Sequence, residues 1–80
     1  SDIAINHSSG DIVSPMHGVI SQIKVQDNKK VLKGDILFIL EAMKMKHEIL
    51  ADVDGIVHAI KVKKGSQVST GDILLNIMQK

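Results

Sequence analysis

Lys33-Gly34-Asp35-Ile36-Leu37 returns as Thr70-Gly71-Asp72-Ile73-Leu74, and the offset of 37 residues between them holds well beyond this stretch. Residues 12–43 lie on 49–80 without a gap: Ile12 on Ile49, Gly18 on Gly55, Ile23-Lys24-Val25 on Ile60-Lys61-Val62, and Val31 on Val68. The 10 identities in 32 aligned pairs compare with about two expected by chance. Two stretches this similar should share one conformation, so the chain reads as a duplicated unit. Glu41-Ala42-Met43-Lys44-Met45 stands at the joint between the copies.

Each copy reads as short strands broken by turns, rich in Ile, Val and Leu, with Gly-Asp before its most apolar run. Strands are expected at 11–15, 19–25, 29–32, 36–42, 46–51, 56–62, 66–69 and 73–78. Eight short strands at this spacing suggest an all-β sandwich or flattened barrel. No window joins a helical stripe to a capping signal, so essentially no helix is expected. Gly34 and Gly71 call for positive φ. At the other repeat turn Gly65 is matched by Asn28, which also tolerates the left-handed region. Gly18, Gly34, Gly55 and Gly71 are all read as turn residues without direct chemistry. Residues 1–11 read as a linker or flexible N-terminal tail and 12–80 as the domain. The start at Ser1 suggests a piece cut from a longer polypeptide. Two-fold duplication also implies that the joint and the point just past Lys80 lie at opposite ends.

Composition narrows the function classes. At 80 residues a fold buries only about 60% of the surface its unfolded chain exposes, so the core must be built from many aliphatic side chains. The chain is 44% hydrophobic and has one Phe, no Trp, no Tyr and no Cys. A net charge of +1 with a single aromatic ring gives neither the basic face nor the stacking platform that nucleic-acid binding needs. Without cysteine there is no disulfide framework, thiolate nucleophile or cysteine zinc site. No apolar run approaches a membrane span and no signal-peptide pattern is present, so a soluble domain is expected. His7, His17, His47 and His58 lack the spacing of a zinc motif, and no Gly-x-Ser-x-Gly or comparable nucleophile motif occurs. The chain reads as non-catalytic and without a metal.

A tight hairpin between strands 36–42 and 46–51 would put Lys44 at its tip, with the backbone held by the ladder and the side chain in water. By position alone this is a solvated surface charge. The repeat, the central lysine and a methionine on each side together argue for presentation. Met43 and Met45 are either conformable neighbours suited to docking on several partners or strand-end residues that cap the barrel. Glu41 reads as a solvated strand-end charge.

Ser14-Pro15-Met16-His17-Gly18, Lys33-Gly34-Asp35, Glu41-Ala42-Met43-Lys44-Met45, Asp54-Gly55 and Thr70-Gly71-Asp72 together resemble the biotinyl, or biotin carboxyl carrier, domain of biotin-dependent carboxylases, over residues 12–80. The resemblance implies a flattened barrel-sandwich of two four-stranded antiparallel sheets with an internal pseudo-two-fold repeat. It also implies biotin joined as an amide to Lys44, and contacts from Glu41 and Ala42 to a partner such as the ligase. A lysine in water has a pKa of about 10.4, so an enzyme must activate the amine; the resemblance assigns this to a biotin protein ligase. The acylated side chain would then serve the biotin carboxylase and carboxyltransferase sites in turn, tethering raising its effective concentration at both. The implied setting is the cytoplasm, or the mitochondrial matrix in a eukaryote. The parent enzyme would act on an acyl-CoA or on pyruvate.

Two departures stand out. Many relatives have an acidic residue after the second methionine, where this chain has Lys46. The gapless repeat leaves no room for the protruding insertion, or thumb, of some carriers, so this chain groups with the thumbless ones and less with the bacterial acetyl-CoA carboxylase type. Two other readings remain. A lipoyl domain shares the fold and the hairpin lysine but usually has Asp-Lys-Ala there. An unmodified barrel-sandwich module of a membrane-fusion adaptor needs no lysine at the joint.

Overall fold

The computed structural model describes residues 10–79. Eight strands are formed: β1 Asp11–Val13, β2 Gly18–Ile23, β3 Lys30–Val31, β4 Ile36–Ala42, β5 Met45–Leu50, β6 Gly55–His58, β7 Gln67–Val68 and β8 Ile73–Met78. They build two four-stranded sheets, ordered β1-β8-β6-β3 and β5-β4-β2-β7, with every pairing antiparallel. The body is flattened, 38 × 26 × 19 Å. No helix occurs among the described residues. The all-β architecture of two four-stranded sheets is the expected one. The joint between copies is a single hairpin turn.

The duplication is written into the hydrogen bonds. The Gly34 N–H donates to the Ala51 carbonyl and the Gly71 N–H to the Ser14 carbonyl, each at 2.8 Å; Lys24 donates to Leu37 and Lys61 to Leu74, also at 2.8 Å. Asn28 donates to Val57 at 2.8 Å and Gly65 to Ile20 at 2.7 Å. In each case a shift of 37 residues turns one bond into the other, with no residue left over for an insertion. The turn expectations hold as well: φ is 95° at Gly34, 89° at Gly71, 93° at Gly65 and 69° at Asn28. Asp35 Oδ2 accepts from the Leu32 N–H at 2.9 Å and Asp72 Oδ2 from Ser69 at 2.8 Å. Aspartate follows glycine because its carboxylate closes the turn that glycine permits.

Strict alternation fails at the core, for a physical reason. Leu37 and Phe38 are adjacent yet both fully buried, as are Leu74 and Leu75. The β4–β5 register shifts between Ile36 and Phe38, and the β1–β8 register shifts opposite Ile73 to Leu75. A bulge of this kind turns two consecutive side chains to one face. With Ile20, Leu40, Val57 and Ile77 these residues fill the space between the sheets.

The structure corrects two expectations. The strand expected at 56–62 ends at His58, because Ala59 takes φ 56° and a left-handed residue breaks an extended run. Gly18 and Gly55 are not turn residues; they open β2 and β6. A Cβ on Gly18 would lie 2.5 Å from the Glu41 carbonyl oxygen, and one on Gly55 would lie 2.4 Å from that of Met78. These glycines permit a close approach between strands. Of the N-terminal stretch 1–11, residues 1–9 lie outside the described residues. Gly10 accepts a hydrogen bond from the Ile77 N–H at 2.8 Å, and Asp11 begins β1.

Candidate functional site

Strands β4 and β5 pair Leu40 with His47, Glu41 with Lys46 and Ala42 with Met45. Only Met43 and Lys44 are left to make the connection. Their φ values are 54° and 64°, and a two-residue hairpin loop with both central residues left-handed is a type I′ turn, whose twist suits the flanking strands. Asn-Gly is the favoured pair for that turn. Met-Lys carries a Cβ at each left-handed position, which costs roughly 1–2 kcal/mol per residue. Strain of this sort persists only where the surroundings enforce it, and it gathers at functional sites.

The enforcement comes from beneath. Ala42 is buried while its neighbours Glu41 and Met43 are exposed. A Cβ built on Gly18 would be 3.1 Å from Ala42 Cβ and 3.0 Å from Leu40 Cδ1, so the base of the hairpin rests directly on the backbone of β2. Gly18 in turn pairs with Val68 of β7. His17 Nδ1 accepts a long hydrogen bond from the Thr70 N–H at 3.4 Å, tying the two loops beside the hairpin. The two-fold counterpart of that contact is tighter: Asp54 Oδ1 accepts from the Lys33 N–H at 2.7 Å.

Met43 is 90% exposed and Met45 61%, which speaks against the cap reading of the methionines. They do not cap the barrel; they stand in water on either side of Lys44, itself exposed. Glu41 faces Lys46 across the ladder, so the basic residue that departs from the usual pattern has an opposite charge directly beside it. The five residues 41–45 are thus brought together as one protrusion. His17, His47 and His58 are not gathered there, and no group of three or more His, Cys, Asp or Glu able to hold a metal occurs among the described residues. Gly18 is the residue that sequence reasoning missed, because its role depends on a strand distant in the chain.

The tip lies far from Gln79. Lys33, Asp54, Gly55 and Gln79 line one shallow hollow, which places the end of β8 beside the 32–35 turn that feeds the start of β4. Lys44 lies past the other end of β4, a strand of seven residues, or about 20 Å away at the rise of a strand.

Residues 9–77 match the family described as biotin-requiring enzyme. A pyruvate carboxylase subunit of Methanocaldococcus jannaschii is 50% identical over 36 residues, 45% of this chain and 6% of that subunit. A single-chain, multi-domain long-chain acyl-CoA carboxylase superposes over 100% of this chain and 8% of its own, with a TM-score of 0.83 and 26% identity. The lipoyl domain of the 2-oxoglutarate dehydrogenase complex from Azotobacter vinelandii, at 22% identity, shares the fold with a TM-score of 0.77 over 89% of this chain and 98% of that one. The chain spans only 3–6% of the length of the first curated relatives that it matches. With its two copies interleaved in two sheets and a lysine on the hairpin that joins the copies, the chain belongs to the biotin-requiring enzyme family.

Proposed function

We propose that Lys44 carries biotin and that the chain is the carrier through which a biotin-dependent carboxylase moves a carboxyl group from its biotin carboxylase site to its carboxyltransferase site. The observation that carries this reading is the position of Lys44 as the second residue of a type I′ turn. There its amine is held in water at one end of a rigid body, away from Gln79. A group as large as biotin suits an amine so placed and would not suit a buried one. In attachment, Nζ loses a proton and displaces AMP from biotinyl-adenylate supplied by a biotin protein ligase, forming an amide and removing the charge. Biotin supplies a ureido nitrogen that takes up and releases the carboxyl group.

The chain's own residues act by presentation. Gly18 and the buried Ala42 seat the hairpin, Met43 and Met45 keep the tip apolar on both sides of the lysine, and the exposed Glu41 offers a first contact to the ligase. Conformable methionines suit a surface that docks on unlike partners. Pyruvate carboxylase and a long-chain acyl-CoA carboxylase both stand among the similar proteins, so the acceptor is set by the carboxyltransferase and not by this domain. We place the carrier in the cytoplasm or the mitochondrial matrix, where its ligase finds ATP.

Coexpression with a biotin protein ligase tests the reading. Intact mass should rise by one biotinyl group, peptide mapping should place it on Lys44, and Lys44→Ala should abolish it while leaving the thermal melt unchanged. A label that persists on another lysine of the Lys44→Ala chain defeats the site assignment. Modification by a lipoyl ligase instead of the biotin ligase defeats the cofactor.

A further inference from the structure

The two halves of the chain are interlocked. First-half strands β1 and β3 lie in one sheet with second-half β6 and β8, while β5 and β7 lie with β2 and β4. Four strand pairings, β1–β8, β3–β6, β2–β7 and β4–β5, each join one half to the other. Turn hydrogen bonds such as Gly34 to Ala51 and Gly71 to Ser14 also cross between the halves, and the covalent connection runs through the Met43-Lys44 turn. That turn has two residues, both left-handed and neither Gly nor Asn. A short connection under strain between two interlocked halves is the arrangement that favours exchange with a second copy.

We propose that this chain exchanges halves with a second copy of itself, the Met43-Lys44 turn opening so that β4 and β5 run on as one strand. The register permits it without a bulge. Ala42 faces Met45, Glu41 faces Lys46 and Leu40 faces His47, so in the exchanged dimer Met43 of each copy falls opposite Lys44 of the other. No two lysines are brought face to face at the junction. All four pairings between halves re-form across the two copies, and four residues leave the left-handed region. Because those pairings must break together first, exchange requires unfolding, and the dimer once made is trapped. Lys44 then lies within a continuous ladder and no longer at a tip, so the dimer withholds it from a ligase. That consequence rests on the reading of Lys44 as the attachment site; the dimer itself does not.

The test is to unfold the 80-residue chain in denaturant, refold it at micromolar and at millimolar concentration, and separate the products by size with native mass spectrometry. Dimer should form only on concentrated refolding and should persist on dilution. A mixture of equal amounts of Glu41→Cys and Lys46→Cys chains, refolded together and oxidised, should yield the mixed disulfide well beyond its statistical share and little of either homodisulfide. The favoured-turn variant Met43→Asn/Lys44→Gly should lower the dimer association constant on the order of tenfold or more, and Met43→Val/Lys44→Val should raise it. Monomer at every concentration overturns the proposal. So does a dimer that ignores both turn variants, or one that gives the three disulfides in statistical proportion. Labelling of isolated monomer but not dimer supports the masking of Lys44; equal labelling of both overturns it. If neither labels, the attachment reading fails while the disulfides still decide the exchange.

Discussion

Placing a methyl group on Gly18 should loosen the hairpin from its seat, and the two-fold repeat supplies the control. In Gly18→Ala the new Cβ would sit 2.5 Å from the Glu41 carbonyl oxygen, with Leu40 Cδ1 at 3.0 Å and Ala42 Cβ at 3.1 Å. In Gly55→Ala it would sit 2.4 Å from the Met78 carbonyl oxygen and 2.6 Å from Ile77 Cγ2. The nearest atom is backbone in both, so no rotamer change relieves the clash and the strands must part by about 1 Å. Overpacking of this degree costs roughly 1–3 kcal/mol. Restricting the unfolded chain returns about 0.4–1 kcal/mol. Each variant should therefore lose about 1–2 kcal/mol, which for a domain of this size lowers the melting temperature by roughly 4–16 °C.

The two clashes differ in what they move. Gly18 bears on Glu41 and Ala42, the base of the Lys44 turn, whereas Gly55 bears on the end of β8. Biotinylation should fall about tenfold to a hundredfold in kcat/KM for Gly18→Ala, as expected when a reacting group is displaced by about 1 Å, and should stay near the parent value for Gly55→Ala. Urea denaturation gives the stabilities, and timed transfer of biotin by purified ligase, well below both melting points, gives the rates. If the two folded variants label equally, Gly18 is only a stability residue and its role in seating the hairpin is refuted.

Other outcomes follow from the same geometry. Asp35→Ala and Asp72→Ala each remove the carboxylate that accepts a turn N–H, at 2.9 and 2.8 Å; denaturant melts should show a loss of about 0.5–1.5 kcal/mol apiece, close to additive in the double variant. Phe38→Ala empties the centre of the core at a cost of about 3–5 kcal/mol. Set against the roughly 4–12 kcal/mol expected for a domain of this length, that removes a large share of the stability and should lower the urea midpoint read by circular dichroism accordingly. Glu41→Lys puts two like charges opposite each other at Lys46 and should cost a few tenths to about 1 kcal/mol at low salt, with Lys46→Glu restoring it in a double-mutant cycle.

Much of this fold is legible in the chain itself, for reasons that can be named. Gly34, Gly71, Gly65 and Asn28 announce left-handed turns because few other residues adopt that backbone without cost, and the structure places all four there. The bounds of β4 and β8 are readable because a continuous apolar run is framed by Gly-Asp on one side and by a polar or joint residue on the other. Ala59 is not readable, since alanine gives no local sign of positive φ. Gly18 and Gly55 pass for turns because a glycine declares permissiveness but not its use. Only the register of β2 against β4, and of β6 against β8, shows that the use is proximity. The exposure of Met43 and Met45 has the same limit: two flanking methionines suit a cap or a tip equally until the two-residue turn is placed.

The interlocking of the sheets also accounts for where the lysine is. A duplicated chain could have formed two separate lobes, each copy pairing only with itself, and the joint would then have been an ordinary linker. Here β1 and β5 leave their own copy to edge the sheet of the other, so the connection from β4 to β5 must reverse at once between adjacent antiparallel strands. That requirement shortens the joint to two residues and forces both into the left-handed region. It also places them past the far end of β4 from the end of β8. A lysine at the joint of such a fold therefore protrudes into water at the end of the body away from Gln79, and its backbone is fixed by the same pairings that close the core.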